Sequence, residues 1–203
     1  MFKIIDLLNG KTIINQLDLD YIENTLQKIF EIEYLEQLPQ LCWLSDEAVD
    51  GFNREDPVLK TLGEYVQEHS VFLDSNADDL VDVNEKGCYL GFERVDEHAA
   101  YHVSGTIIRD DEHLPGLRVK LCDVDVLIED FCGFAFTNHN GFYKISFNLE
   151  DFANFEIGVD FEGLPELRLE IAQLDLESGD FQTIKHINLP KTKETNFVCN
   201  VDL

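Results

Sequence analysis

The sequence contains little positive charge. Only 15 of its 203 residues are lysine or arginine, whereas 41 are aspartate or glutamate, which gives a formal net charge of −26. A surface this acidic repels the phosphates of nucleic acids and of anionic lipids. We therefore expect neither nucleic acid nor a membrane surface as a partner, and a protein partner with a basic surface is favoured.

Long hydrophobic runs and an export signal are also missing. No apolar run of about 18 residues occurs, so no membrane-spanning helix is predicted. Residues 1–14 are interrupted by Asp6 and by Asn9-Gly10, and they lack the small-residue cleavage site of a secretory signal. The five cysteines are odd in number and form no CxxC pair, a pattern typical of free thiols in a reducing compartment. The cytoplasm is the expected location.

Apolar side chains, in contrast, are plentiful. Hydrophobic residues make up 44% of the chain, and 15 residues are phenylalanine. This is enough apolar surface to build a folded core. A chain of this length forms one large or two small domains.

The first 87 residues read as a small α+β region. Two short strands flank Asn9-Gly10, a dipeptide typical of two-residue hairpin turns. A first helix is expected with Asp20 as its N-cap and Glu23 at the capping-box spacing. A second helix is expected to begin at Asp56-Pro57 because proline fits well at the first helical position. The acidic stretch over 74–87 then marks a domain boundary.

Residues 88–203 change to a period of two, which predicts an all-β domain of seven to eight strands. Closely spaced short strands of this kind are typical of an antiparallel β-sandwich. Eight of the fifteen phenylalanines fall between Phe131 and Phe161, and they would fill the space between two sheets. The predicted strands are CYLGFERV, AYHVSGTII, LRVKLCDVDV, GFAFTN, FYKISFN, LRLEIAQLD, FQTIKHINLP and NFVCNVDL.

The order of motifs in the second half resembles a known family. Gly105 is followed by a strand, a Leu114-Pro115-Gly116 turn and a strand that ends in Asp123-Val124-Asp125. A second acidic run, a strand and an Asn-Gly turn at 138–141 come next. This order is similar to the transthyretin-like (prealbumin-like) β-sandwich and to the regulatory sandwich domain of carboxypeptidases. The resemblance covers roughly residues 101–203 and implies a transthyretin-like fold.

Signatures of catalysis are absent. The chain ends in Asn-Val-Asp-Leu, whereas related hydrolases of 5-hydroxyisourate end in Tyr-Arg-Gly-Ser. No Gly-x-Ser-x-Gly motif, phosphate-binding glycine loop or zinc-protease motif occurs. We therefore expect a protein that is not an enzyme and that uses no catalytic cofactor.

Two acidic segments are candidates for calcium sites. The stretch over 74–85 aligns with the twelve-residue calcium loop, although Asp79 occupies the position that usually requires glycine. The Asp-x-Asp at 123–125 resembles the loop of calcium-dependent membrane-binding sandwich domains. The candidate ligands are Asp74, Asn76, Asp78, Asp82 and Glu85 in the first segment, and Asp123, Asp125 and Asp130 in the second.

Three functions therefore remain open. The leading hypothesis is a non-catalytic, acidic protein-binding or accessory module that works through protein–protein contacts. The first alternative is a calcium-binding module that uses the loops at 74–85 or 123–130. The second is an inhibitor or immunity-type protein that masks a basic surface through electrostatic complementarity.

Overall fold

In a computed structural model, the chain divides into two compact units, Met1–Arg94 and Val95–Leu203. The structure describes residues 1–30, 42–73, 85–124, 129–148, 166–191 and 194–203. Both units are rich in β-strands, and most of the strand pairs are antiparallel.

The first unit combines one sheet with helices. Its strands are β1 (Phe2–Asp6), β2 (Lys11–Leu17), β3 (Cys42–Ser45), β4 (Val71–Leu73) and β5 (Glu85–Arg94). They pair in the order β2-β1-β5-β3, and β4 also pairs with β5. Helical pieces follow β2 and β3, and their bounds are Leu19–Tyr21 (α1), a π-helical turn over Ile22–Leu26, Gln27–Ile29 (α2), Asp46–Val49 (α3) and Pro57–His69 (α4).

The predicted hairpin between β1 and β2 forms, but with a longer turn than expected. Asp6 pairs with Lys11, so four residues connect the strands instead of two. The Asp6 carboxylate accepts hydrogen bonds from the backbone N–H groups of Leu8 and Asn9, at 2.9 and 3.4 Å, and from the Asn9 side-chain amide at 2.7 Å. Gly10 has a φ of 61°, which glycine tolerates without strain. Hydrogen bonds to the buried Asp6 carboxylate thus stabilise a four-residue turn in place of the expected two-residue turn.

The expected capping box of the first helix is also wrong. The helix starts one residue before Asp20, at Leu19, with Asp18 as the N-cap residue and no side-chain capping bond. A π-helical turn follows and places Ile22 and Leu26 in the core. A helix in this region was therefore predicted correctly, whereas its cap was not.

The start of α4 agrees with the sequence. Asp56 is its N-cap, and its side chain accepts the N–H groups of Val58 and Leu59 at 2.9 and 3.1 Å. The helix buries one side against the sheet, as an amphipathic helix does. Its buried residues are Leu59, Leu62, Gly63, Tyr65 and Val66.

The boundary between the units lies later than expected. The strand that begins near Cys88 was expected to open the C-terminal domain, but as β5 it lies in the first unit. Its Leu90 pairs with Asp6 of β1 on one side and with Cys42 of β3 on the other. Because β5 is the central strand of that sheet, the second unit begins at Val95 and not at residue 88.

The second unit contains two sheets that share one hydrophobic cluster. Its strands are β6 (Tyr101–Arg109), β7 (Glu112–His113), β8 (Arg118–Val124), β9 (Glu129–Phe136), β10 (Phe142–Phe147), β11 (Leu167–Leu174), β12 (Phe181–Asn188), β13 (Asn196–Val198) and β14 (Val201–Asp202). The first sheet has the order β10-β6-β13, with β7 and β14 also paired to β6. The second has the order β12-β11-β8-β9.

The cluster takes buried side chains from both sheets. Val103, Tyr143 and Ile145 come from the first sheet, and Leu121 and Leu169 come from the second. Alternate residues of each strand therefore face the cluster, and the residues between them form an outer face on each sheet. Those two outer faces are the surfaces on which exposed functional side chains can lie.

Candidate functional site

The outer face of the second sheet carries a row of aromatic rings. The ring centres of Phe131 and Phe134 lie 6.3 Å apart, those of Phe134 and Phe136 lie 5.4 Å apart, and those of Phe136 and Phe181 lie 5.8 Å apart. The rings are tilted or edge-on to one another, which is the arrangement that aromatic quadrupoles prefer. The row runs from β9 to the edge strand β12.

Cations lie directly over this row. The guanidinium carbon of Arg118 is 4.7 Å from the ring centre of Phe181, and the ammonium nitrogen of Lys120 is 5.9 Å from that of Phe131. Both distances lie within the range of cation–π attraction. The name aromatic–cationic face is used below for six residues, namely Arg118, Lys120, Phe131, Phe134, Phe136 and Phe181.

The strand register explains why these six residues meet. Arg118 pairs with Phe136 and Lys120 pairs with Phe134 across β8 and β9, so residues two apart on each strand share one face. The register shifts between Leu121 and Cys122, which brings Phe131 opposite Cys122. Because of this irregularity, Phe131 lies on the same outer face as Phe134, although the two residues are three positions apart on β9.

Exposure of the rings differs along the row. Phe136 is 2% exposed and serves as packing, whereas Phe131 is 51% exposed. Phe134, Phe181 and Lys120 are half-buried. The end of the face near Phe131 is therefore open to solvent, whereas the ring of Phe136 further along the row is buried.

One acidic side chain lies among the cations. Glu170 pairs across the sheet with Lys120, and its carboxylate lies 3.6 Å from Arg118 Nη2 and 3.6 Å from His186 Nε2. Burial lowers the pKa of Arg118, and the charge of Glu170 opposes that change. Arginine remains protonated in proteins, so the face keeps its positive charge.

The outer face of the first sheet in this unit carries a polar pair. His102 and Ser146 are cross-strand partners, and His102 Nδ1 lies 3.0 Å from Ser146 Oγ. Burial, followed by the nearby charge of Lys144, lowers the pKa of His102, whereas Asp96 raises it. The pair has the residue types of a nucleophile and a base, although no sequence motif marks it.

Of the candidate calcium ligands in the first segment, Asp74, Asn76, Asp78 and Asp82 lie outside the described residues, and Glu85 is the first residue of β5. The structure therefore does not test this calcium hypothesis, and it stays a prediction.

Two residues of the second candidate set lie in strands: Asp123 falls within the predicted strand over 117–126, whereas Asp130 was expected before the next strand. Asp123 in β8 pairs directly with Asp130 in β9, while Asp125 lies outside the described residues. Asp123 Oδ1 accepts the backbone N–H of Glu166 at 2.8 Å, so this carboxylate holds the start of β11. In the part of the chain that the structure describes, no three His, Cys, Asp or Glu side chains are grouped as metal ligands.

The aromatic–cationic face was not predicted from the sequence as a site. Its signals were the Arg-x-Lys spacing at 118–120 and the Phe-x-Phe spacing at 134–136, each of which places two side chains on one side of a strand. Phe131 could not be assigned to that side because it is separated from Phe134 by an odd number of residues. In the sequence, these phenylalanines read as core.

Comparisons with known proteins give no family. No protein-family model matches the sequence, and no curated protein matches it either. Among solved structures, the chain is similar to a 9R-lipoxygenase from Cyanothece PCC8801, with a TM-score of 0.39 and 14% sequence identity. The match covers 78% of this chain and 21% of the lipoxygenase chain, so this chain spans about a fifth of that enzyme. A TM-score this low carries no functional conclusion.

None of the helices in the described ranges is long and apolar enough to cross a membrane.

Proposed function

We propose that this protein is a non-catalytic binding or accessory module that acts through protein–protein contacts, and that the aromatic–cationic face is its contact surface. The observation that carries the proposal is the exposure of Phe131, 51%, at the open end of a row of packed rings with cations above them. Aromatic residues and arginine are enriched at the centres of protein interfaces, and lysine over a ring adds charge recognition.

The composition of the face supports a partner that covers it. An exposed phenylalanine loses the free energy that burial of its ring would provide, roughly 1.5–3 kcal/mol for a side chain of this size. Phe131 lies beside Phe134, and Lys120 covers only one side of its ring. A partner that buries the Phe131 ring regains this free energy.

We also propose that the second unit is a transthyretin-like β-sandwich. Its two sheets contribute to one hydrophobic cluster, and the order of its motifs resembles that family. Such a fold leaves both outer faces available for binding, but it does not specify a function. The binding proposal therefore rests on the aromatic–cationic face and not on the fold.

A second candidate function is favoured by the charge. Residues 1–100 contain 22 acidic and 7 basic residues, a net charge of −15, and residues 101–203 contain 19 acidic and 8 basic residues, a net charge of −11. An inhibitor or immunity-type protein that masks a basic surface would use such an excess for steering and complementarity. This candidate places the contact on acidic surface and not on the aromatic–cationic face.

Site-specific photocrosslinking in native lysate distinguishes these candidates. p-Benzoylphenylalanine is placed at position 131 on the aromatic–cationic face, or at position 142 on the other sheet, where Phe142 is 42% exposed. A third variant carries it at position 72, where Phe72 of the first unit is 64% exposed. Mass spectrometry identifies the adducts.

The proposed function predicts one defined partner that crosslinks from position 131 and not from position 142. Addition of Lys120→Glu to the position 131 variant is expected to abolish that adduct. An adduct that forms only from position 72 would favour the alternative that masks a basic surface. Equal labelling from all three positions, or no specific adduct from any of them, would contradict the proposal.

A further inference from the structure

We infer that the aromatic–cationic face binds an acidic segment of a partner protein, in which a carboxylate lies next to an apolar side chain. This inference rests on the proposed function and names the chemistry of its partner. It starts from a contrast in charge: the whole chain carries −26, yet two cations, Arg118 and Lys120, lie against the rings of this face.

The charges of the face show which sign of ligand it accepts. Arg118 and Lys120 of the face lie two residues apart on β8, and Glu170 of β11 is the acidic residue that pairs with Lys120. Among these described side chains, the two cations outnumber the one carboxylate. At physiological ionic strength, charges further away than about 8 Å are largely screened. The local cations therefore decide the binding, and the distant acidic residues do not.

Lys120 is the cation that a ligand would use. Glu170 lies 3.6 Å from the Arg118 guanidinium group, so this carboxylate already has a cationic partner in the isolated protein. Within the described ranges, no carboxylate lies within ion-pair distance of the Lys120 ammonium group, whose recorded contact is with the Phe131 ring. A partner carboxylate at Lys120 would form an ion pair that the isolated protein does not form.

The position of Lys120 fixes the arrangement of the ligand. Lys120 lies 5.9 Å from the ring centre of Phe131, and it pairs across the strands with Phe134. A carboxylate bound to Lys120 is therefore flanked by two rings on the same face. The side chain next to that carboxylate in the ligand would contact one of these rings, which favours leucine, isoleucine or phenylalanine at that position.

Single-stranded RNA is the competing ligand for a face of rings and cations, because bases stack on aromatic side chains. Two observations favour the peptide. RNA carries a phosphate at every nucleotide, whereas the face has two cations, Arg118 and Lys120, of which Arg118 already lies beside Glu170. Among the four rings of the face, Phe131 is 51% exposed, Phe134 and Phe181 are half-buried and Phe136 is 2% exposed, so successive bases would lack an open row.

Fluorescence anisotropy with short synthetic peptides tests the inference directly. The probe is a labelled peptide of alternating leucine and glutamate, and its matched control has glutamine in place of glutamate. Labelled oligouridylate is the third probe. The proteins are the full chain, Lys120→Gln, Phe131→Ser and the control Lys144→Gln, whose exposed lysine lies on the other sheet.

We expect the full chain to bind the glutamate peptide at least about five-fold more tightly than the glutamine peptide, as one formed ion pair allows. Lys120→Gln should remove this preference, Phe131→Ser should weaken both peptides, and Lys144→Gln should change neither. The preference should shrink as the ionic strength rises from about 0.05 to about 0.5 M.

Three results would overturn the inference: equal binding of the two peptides, a preference that survives Lys120→Gln, or tighter binding of oligouridylate. Failure of the glutamate peptide to bind at about 1 mM would overturn it as well. The proposed function is tested separately, by the crosslinking experiment. It is contradicted there when no defined partner crosslinks selectively from position 131. A partner that crosslinks there without any preference for acidic peptides would leave the proposed function standing and remove the acidic ligand.

Discussion

The hydroxyl group of Tyr65 donates a hydrogen bond of 2.7 Å to the carboxylate of Asp6, which lies 59 residues earlier in the chain. Both residues are buried, at 8% and 2% exposure. The bond joins α4 to the turn between β1 and β2, so it connects the longest helix of the first unit to its sheet. Burial, followed by the hydrogen bond and the charge of Asp6, raises the pKa of Tyr65.

Tyr65→Phe is therefore expected to destabilise the first unit. The substitution removes one donor from a buried carboxylate, a change that costs about 1–3 kcal/mol of unfolding free energy. Trp43 is the single tryptophan and lies in β3, so its fluorescence during urea unfolding reports on this unit. The matched control is Tyr101→Phe, since the Tyr101 hydroxyl makes no hydrogen bond within the described ranges. Equal stability of Tyr65→Phe and the unmodified chain would contradict the assigned bond.

The thiol of Cys88 predicts how the stability of the first unit depends on pH. Burial, followed by the charge of Asp6, raises the pKa of Cys88 from 9.0 to about 12. The unfolded chain then loses this proton at a lower pH than the folded chain does, so the stabilising contribution is complete below pH 9 and declines as the pH rises towards 12.

Cys88→Ala is expected to reduce that decline. One group contributes at most about 1.4 kcal/mol per pH unit, so the slope of unfolding free energy against pH above pH 9 should become shallower by up to this amount. The slope is measured by urea unfolding with Trp43 fluorescence, and Cys132→Ala in the second unit is the control. A slope that is the same in Cys88→Ala and in the unmodified chain would show that this thiol is not involved.

The absence of a side chain at Gly105 allows the C-terminal segment to pack closely against β6. A Cβ atom at this position would overlap the backbone carbonyl oxygen of Cys199 and lie 3.1 Å from the Tyr143 hydroxyl oxygen. The same carbonyl accepts a hydrogen bond from Tyr143 at 2.8 Å. Gly105→Ala must therefore push the segment away from the strand.

We expect Gly105→Ala to destabilise the second unit by about 2 kcal/mol or more, which is within the usual cost of overpacking. Hydrogen exchange should accelerate at the amides of Cys199 and Leu203, which donate to Ser104 and Ile108 of β6. The control Ser104→Ala changes the neighbouring residue on the outer face and should alter stability by at most about 0.5 kcal/mol. Exchange rates in Gly105→Ala that match those of the control would refute the close packing.

The charge around His102 can be tested by NMR titration. Burial and Lys144 lower the pKa of this imidazole, and Asp96 raises it. Lys144→Ala should therefore raise the pKa of His102, and Asp96→Asn should lower it further. A pKa of His102 that falls in Lys144→Ala would mean that the cross-strand environment has been assigned incorrectly.

Local signals in the sequence predicted much of the fold, because they act within a few residues. Asp56-Pro57 predicted the start of α4 from a cap and a proline that need no tertiary contact. The turn after β1 was mispredicted because the carboxylate of Asp6 takes donors from the turn and from Tyr65 at once. Strand β5 was placed in the wrong unit because pairing partners are not encoded in the strand itself.

The candidate site depended still more on long-range pairing. Lys120 and Phe131 meet because β8 and β9 pair with a shifted register, and the sequence shows neither the pairing nor the shift. Phenylalanines in a region with a period of two are expected in a core, so an exposed Phe131 could be recognised only from the folded chain. Asp130 was expected outside a strand because residues 129–132 do not alternate in polarity, whereas β9 already begins at Glu129.

The most direct test is the affinity of the partner that crosslinks from position 131, measured by calorimetry with the full chain and three variants. We predict that Phe131→Ser and Lys120→Glu each raise the dissociation constant by at least about ten-fold, as substitutions of residues central to an interface do. Phe142→Ser, at the 42% exposed phenylalanine of the other sheet, should change it by less than about two-fold. An unchanged affinity in Phe131→Ser and Lys120→Glu, or an equal loss in Phe142→Ser, would contradict the assignment of the aromatic–cationic face as the contact surface.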